Sequence, residues 1–154
     1  MKRHRTFIAL SRDHHRGLLL AARLQQGKKA LLKLWSHDQK WQAEYVVRFF
    51  DDELKEHFRL EETFVFPVAD SYLPEDRSMI KQLRAEHDEM RKTIDTLRGA
   101  GGKKPDLTLR RFGELLEKHI RSEEREFFPL LETTIPAELL NSLGAHINPA
   151  NRKP

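Results

Sequence analysis

Two stretches of this chain set a histidine four residues ahead of a glutamate: His57 with Glu61, and His119 with Glu123. On a helix, positions i and i+4 lie one turn apart on the same face, so each pair can offer an imidazole nitrogen and a carboxylate oxygen to a common point. The pairs sit inside a longer repeat. Phe50, Leu54, His57, Arg59, Glu61, Glu62, Phe66 and Pro67 align without a gap on Phe112, Leu116, His119, Arg121, Glu123, Glu124, Phe128 and Pro129. Ahead of each copy stands a stretch with its own histidine: Phe7, Leu10, Asp13-His14 and Leu24 echo Ile80, Leu83, Glu86-His87 and Leu97. The chain reads as two helical hairpins, each with one histidine on its first helix and one His-x-x-x-Glu on its second.

His14, His57, His87 and His119 each continue an apolar stripe, so all four are expected to point inward. Burying Glu61 and Glu123 near one another without a cation would be very costly. A two-metal centre removes that cost. The chain has no cysteine, so the ligands are nitrogen and oxygen, a set that suits iron, manganese or zinc. The arrangement implies two histidines per metal, with Glu61 and Glu123 bridging and positions left open for a bridging solvent species and a small ligand. A redox-capable pair, iron first, is the natural occupant.

His15 is the alternative to His14. The duplication favours His14, because Phe7 and Leu10 stand before it as Ile80 and Leu83 stand before His87. Asp13 and Glu86 precede the helix histidines and either orient an imidazole or decorate the surface. Glu62 and Glu124 lie about 100° around the helix from the neighbouring glutamate and are read as surface or supporting residues. His4, His37 and His146 lack partner spacing and are read as surface residues. Phe64, Phe66, Phe127 and Phe128 are expected to pack near the site.

Positioning these groups requires helices. Apolar residues recur at helical spacing, and no segment shows strict alternation with hairpin turns, so the fold class is all-α. The main helices are expected over 6–26, 38–66, 75–98 and 105–128, with an amphipathic stretch Ala30–Trp35 and a short final helix Ala137–Gly144. Asp38 and Asp106 are expected N-caps, and Gly27 and Gly99 expected C-caps. Gly101 and Gly102 continue the break after the third helix, and Pro67 and Pro129 should kink or end their helices. Short connections make an up-down antiparallel four-helix bundle with short additional helical segments. It forms one domain over 1–147, followed by a frayed tail over 148–154.

The chain has 154 residues, enough for one core. The absence of cysteine removes disulfide scaffolds, thiolate nucleophiles and iron–sulfur clusters. No apolar run approaches a membrane span, and the basic N-terminus does not lead into a signal-peptide core, so no membrane partner and a cytoplasmic location are expected. The net charge of +4, with Lys28, Lys29, Lys33, Lys103 and Lys104 contributing, reads as solvated surface, and nucleic acid is not an expected partner. Leu54 and Leu116 stand three residues before the paired histidines, so the Glu-x-x-His pattern of ferritin-like oxidases fails. No His-Glu-x-x-His occurs, which removes metallopeptidases.

The doubled pattern, Asp-His ahead of His-x-x-x-Glu-Glu-x-x-x-Phe-Pro and Glu-His ahead of its second copy, resembles the hemerythrin-like (HHE cation-binding) domains over about residues 6–135. The resemblance implies an up-down bundle around a non-haem di-iron centre, two iron ions with an oxo or hydroxo bridge, ahead of manganese or zinc. It implies His14 and His57 on one iron, His87 and His119 on the other, and Glu61 and Glu123 between them. Oxygen carriers of the family have a fifth histidine four residues after the third-helix one; here that position is Arg91. The expectation is therefore a metal-binding protein, not an enzyme, that binds or senses oxygen, nitric oxide or peroxide, or handles iron. Its partner is a small diatomic ligand or peroxide, and no protein partner can be read. The competing readings are a di-iron oxidase or peroxidase, and a structural bundle with core histidines.

Overall fold

A computed structural model of the protein describes residues 2–30, 32–100 and 105–148. Helix α1, Ile8–Gln26, follows a 3-10 turn at Arg5–Phe7. Helix α2 runs unbroken over 39–72, its α-helical parts Gln39–Phe49, Lys55–Leu60 and Phe66–Tyr72 joined by π turns at Phe50–Leu54 and Glu61–Val65. Helix α3 is Arg77–Ala100, after a 3-10 turn at Pro74–Asp76. Helix α4 covers 105–134, with a π turn at Glu123–Phe127 between Pro105–Ser122 and Phe128–Thr134. Helix α5 is Ala137–Ile147. The four long helices form the up-down bundle, and the described residues contain no strand.

The stripes that predicted the helices are the stripes that bury them. On α1, Leu10, His14, Gly17, Ala21 and Leu24 are buried; on α4, Leu109, Phe112, Leu116, His119 and Glu123 are. The apolar core falls into two clusters. Phe7, Leu10, Phe66, Leu83, Phe127, Phe128 and the α5 residues Leu140, Leu143 and Ile147 make one. Leu24, Trp35, Phe50, Phe58, Met90, Ile94, Phe112 and Ile120 belong to the other. Each fully buried Leu, Ile or Phe is worth about 1.5–3 kcal/mol, so these clusters, and not the caps at about 1 kcal/mol each, decide the bundle. Between the clusters lies a layer of buried polar side chains: His14, His57, Glu61, Glu86, His87, His119 and Glu123.

Several expected boundaries move. Asp38 caps α2 by accepting from the Trp41 amide, and Gly27 ends α1 at φ 56°, both as expected. Asp106 sits inside the first turn of α4, not ahead of it, because Pro105, whose missing N–H costs nothing there, already opens the helix. Gly99 lies inside α3, which continues to Ala100; a glycine permits a helix to end but does not compel it. Pro67 and Pro129 do not end their helices, which run on to Tyr72 and Thr134. A π turn precedes each proline, with the Phe66 amide bonded to Glu61 and the Phe128 amide to Glu123, and the wider turn moves the ring off the preceding carbonyls. The last helix extends one turn past Gly144 to Ile147, which is buried against the first cluster.

In the stretch after α1, Ala30 and Trp35 are buried, Leu32 and Leu34 are exposed, and Leu34 has φ 57°; it is an anchored loop, not a helix. Gly101, Gly102, Lys103, Lys104 and the tail beyond Asn148 lie outside the described residues.

Candidate metal centre

Each main helix delivers one histidine to the polar layer: His14 from α1, His57 from α2, His87 from α3 and His119 from α4. The two glutamates come from the first positions of the π turns in α2 and α4. All six residues are at most 3% exposed. His14 Nε2 faces His57 Nε2 at 3.1 Å, and His87 Nε2 faces His119 Nε2 at the same 3.1 Å. Glu61 Oε1 lies 3.3 Å from His57 and 3.2 Å from His87. Glu123 Oε1 lies 3.0 Å from His14 and 3.3 Å from His119. Each carboxylate thus touches one histidine of each pair.

The outer nitrogen of every ring is engaged. His14 Nδ1 donates to Glu124 at 2.8 Å, His57 Nδ1 to Asp13 at 2.9 Å, His87 Nδ1 to Glu62 at 2.7 Å, and His119 Nδ1 to Glu86 at 2.9 Å. An ionised carboxylate only accepts, so each Nδ1 carries a proton and Nε2 is the nitrogen that faces inward, free to offer its lone pair to a cation once it holds no proton of its own. Asp13 and Glu86 therefore do orient imidazoles, but those of the next helix and not of their own neighbours in sequence. Glu62 and Glu124 support the rings of α3 and α1. The adjacency of these acids to the inner residues was visible in the sequence; which ring each would reach depends on how the helices face one another.

His15 is exposed on α1, and His14 occupies the cluster, as the duplication indicated. His37 and His146 are also exposed: His37 donates to the Ala30 carbonyl, and His146 stacks on Phe64 at 4.4 Å, which places Phe64 away from the cluster. His4 is half-buried and caps the first 3-10 turn. Phe128 stacks on His14 at 5.5 Å, and Phe66 leans on His87 at 5.4 Å. The sequence reading missed Phe58, which lies flat against His87 at 3.8 Å. Its signal was weak: the repeat places Ile120 at the matching position.

The electrostatics ask for positive charge. Burial alone would push the His119 imidazole down, yet the Glu123 carboxylate beside it carries it up to about 10. His57 is likewise held well above its ordinary value, burial being outweighed by Glu61 and Asp13. Burial would raise Glu123, but His119 and its other partners hold it well below the carboxylate range. Even so, both oxygens of Glu61 and one of Glu123 are buried without a hydrogen-bond partner. Two Nε2 atoms 3.1 Å apart are also spaced as two nitrogen ligands at right angles on one ion would be, with bonds of about 2.1 Å. The residues fit a bound cation. His14, His57, Glu61 and Glu123 bring ligand atoms within 4.8 Å of one another, and Glu61, His87 and His119 do the same.

Among known families, the model of the hemerythrin HHE cation-binding domain matches residues 6–131. No curated protein and no solved structure matches the chain. No helix of the described residues is long and apolar enough to cross a membrane.

Proposed function

The chain belongs to the hemerythrin HHE cation-binding domain family, and from that premise we propose that it holds two iron ions and uses them to bind, sense or react with a small oxidant or nitric oxide. His14 and His57 would ligate one ion and His87 and His119 the other, with Glu61 and Glu123 shared. Iron bound there would supply one-electron chemistry and open positions for a small ligand. One observation carries the reading: the four Nδ1 atoms are engaged by outer carboxylates, so four Nε2 atoms converge on two buried glutamates, three of whose four oxygens lack a hydrogen-bond partner. A purely structural layer would leave those oxygens uncompensated.

This chain's residues also define what can enter. The six inner side chains are almost wholly buried and walled by Phe58, Phe66 and Phe128, which favours a small ligand of the size of oxygen, nitric oxide or peroxide. Position 91 supplies no fifth imidazole; Arg91 turns outward to Glu62 and Asp88. Reversible oxygen carriage is therefore disfavoured relative to oxidation of the reduced centre.

The test is metal quantification on protein made with iron under anaerobic conditions, joined to stopped-flow absorbance on mixing with oxygenated buffer and with nitric oxide. Two ions per chain and a reaction with both gases are expected. Folded protein with no metal sinks the reading. A spectrum that forms with oxygen and reverses fully on deoxygenation restores the carrier role, and a loaded centre inert to both gases points to zinc.

A further inference from the structure

Arg91 has a counterpart that the duplication does not supply. Its Nη2 donates to Glu62 Oε1 at 2.8 Å, while Glu62 Oε2 accepts from His87 Nδ1 at 2.7 Å. Its guanidinium also lies 5.6 Å over the ring of Phe58, which stacks on the face of His87. Arg91 therefore grips one histidine twice, through the carboxylate at its edge and through the ring on its face. In the other half of the bundle Arg3 does the same. Arg3 Nη2 donates to Glu124 Oε2 at 3.0 Å, and Glu124 Oε1 accepts from His14 Nδ1 at 2.8 Å. Its guanidinium lies 5.5 Å over Phe128, which stacks on His14 with rings 13° from parallel.

These two arrangements are not copies. The residue four after His14, where a repeat of Arg91 would stand, is Leu18; the residue eleven before His87, where a repeat of Arg3 would stand, is Asp76. Phe58 and Phe128 are not repeat mates either: Phe58 aligns with Ile120, and Phe128 with Phe66. One arginine sits on α3 and the other ahead of α1, yet both reach the same relation to the same kind of histidine. Inheritance from the duplicated hairpin does not explain that. A common demand of the two histidines does.

Resting on the metal reading above, we propose that Arg3 and Arg91 are positioning residues for His14 and His87, and that their charge sets how much electron density these two imidazoles lend a bound ion. A guanidinium on the outer oxygen of Glu62 or Glu124 draws negative charge away from the oxygen that holds the Nδ1 proton. Without it, the carboxylate pulls harder on that proton, the imidazole becomes a stronger donor, and the oxidised ion is favoured. Because each arginine serves a different histidine pair, their effects should be separable.

The experiment compares Arg3→Gln, Arg91→Gln, the double variant and Arg91→Lys. In zinc-loaded protein labelled with 15N-histidine, Arg91→Gln should move or broaden the His87 Nδ1–H resonance and spare that of His14, and Arg3→Gln should do the reverse. In iron-loaded protein each Gln variant should lower the midpoint potential, the double should lower it further, and Arg91→Lys should return it toward the wild-type value. An arginine whose histidine resonance stays in place is an ordinary surface ion pair, and the proposal is overturned. A variant that shifts both histidines alike and melts earlier has loosened the bundle generally, which also overturns it. If the wild-type protein takes up neither metal, the di-iron reading fails, while the resonances of the protein as purified still decide the arginines.

Discussion

Glu61 occupies the most demanding position in the molecule. Neither of its oxygens has a hydrogen-bond partner, it is fully buried, and it lies within 3.3 Å of histidines from both pairs. A carboxylate taken out of water costs several kcal/mol unless a counter-charge meets it. Replacing Glu61 by Gln removes both the cost and the shared ligand, so metal stoichiometry should fall while the metal-free protein melts no earlier; an unchanged stoichiometry would remove Glu61 from the site. The two adjacent histidines of α1 give a sharper contrast. His14→Ala deletes a ring that touches His57, Glu123 and Glu124, and should lower metal affinity at least about tenfold. His15→Ala alters an exposed side chain and should stay within about 0.5 kcal/mol of the parent in stability, with metal content intact. Equilibrium unfolding beside metal analysis of the two variants reads both outcomes, and the reverse pattern would mean that α1 is rotated.

Helix α1 rests on α4, and the closeness of that contact is set by two glycines that differ in what surrounds them. A methyl group on Gly113 would meet Leu24 Cβ at 2.9 Å and the Ala21 carbonyl oxygen at 3.0 Å, neither of which can move without moving α1. A methyl group on Gly17 would crowd the tip of Ile120, at 2.7 Å, with Leu116 at ordinary contact distance, and a terminal methyl can rotate away. Alanine gains about 1 kcal/mol of helix propensity over glycine, against an overpacking cost of about 1–3 kcal/mol. Gly113→Ala should therefore be net destabilising and Gly17→Ala close to neutral. The melting temperatures order the two, and equal values would mean that the α1–α4 spacing is looser than it is here. The π turns matter at the same scale: of the three among the described residues, two begin at Glu61 and Glu123, and widening the helix there aims each carboxylate while letting the chain pass its proline.

Across the whole molecule, the charged layer separates two apolar clusters, so the state of the centre bears on the stability of both. An ion that binds only the folded chain stabilises it, and chelation should lower the melting temperature. The double replacement of Glu61 and Glu123 by Gln should shrink the difference between loaded and stripped protein; equal melting temperatures before and after chelation would place the metal outside the bundle. Proton linkage follows from the same layer. The metal-free His119 is raised from 6.5 to about 10 by Glu123, so its contribution to stability is full below about pH 6.5 and is lost as the pH rises through about 10. An incoming cation must displace that proton. Metal uptake should release protons at neutral pH, and apparent affinity should rise with pH. Titration calorimetry in buffers of different ionisation enthalpy measures both, and uptake with no proton release would contradict the linkage.

The spacing in the sequence was enough to determine the four main helices and the inward side of each, though not where every helix ends. A 3.6-residue period fixes which side of a helix is apolar, and a histidine or glutamate falling on that side must go inward with it; the gapless repeat then says that it happens twice. What lay beyond that reach depended on contacts between helices. Asp13 could have served His14 beside it, but adjacent side chains point about 100° apart on a helix, and the ring that meets it is His57 on α2. Arg91 was legible only as a missing histidine, and Arg3 not at all, because a guanidinium at the end of a flexible side chain takes its role from the carboxylate and the ring that packing brings within reach. The prolines showed where the helical hydrogen bonding must change. Whether the helix would stop or widen was decided by the residues after them, Ala69 on α2 and Leu131 on α4, which are buried against the first cluster and hold the chain helical past the break.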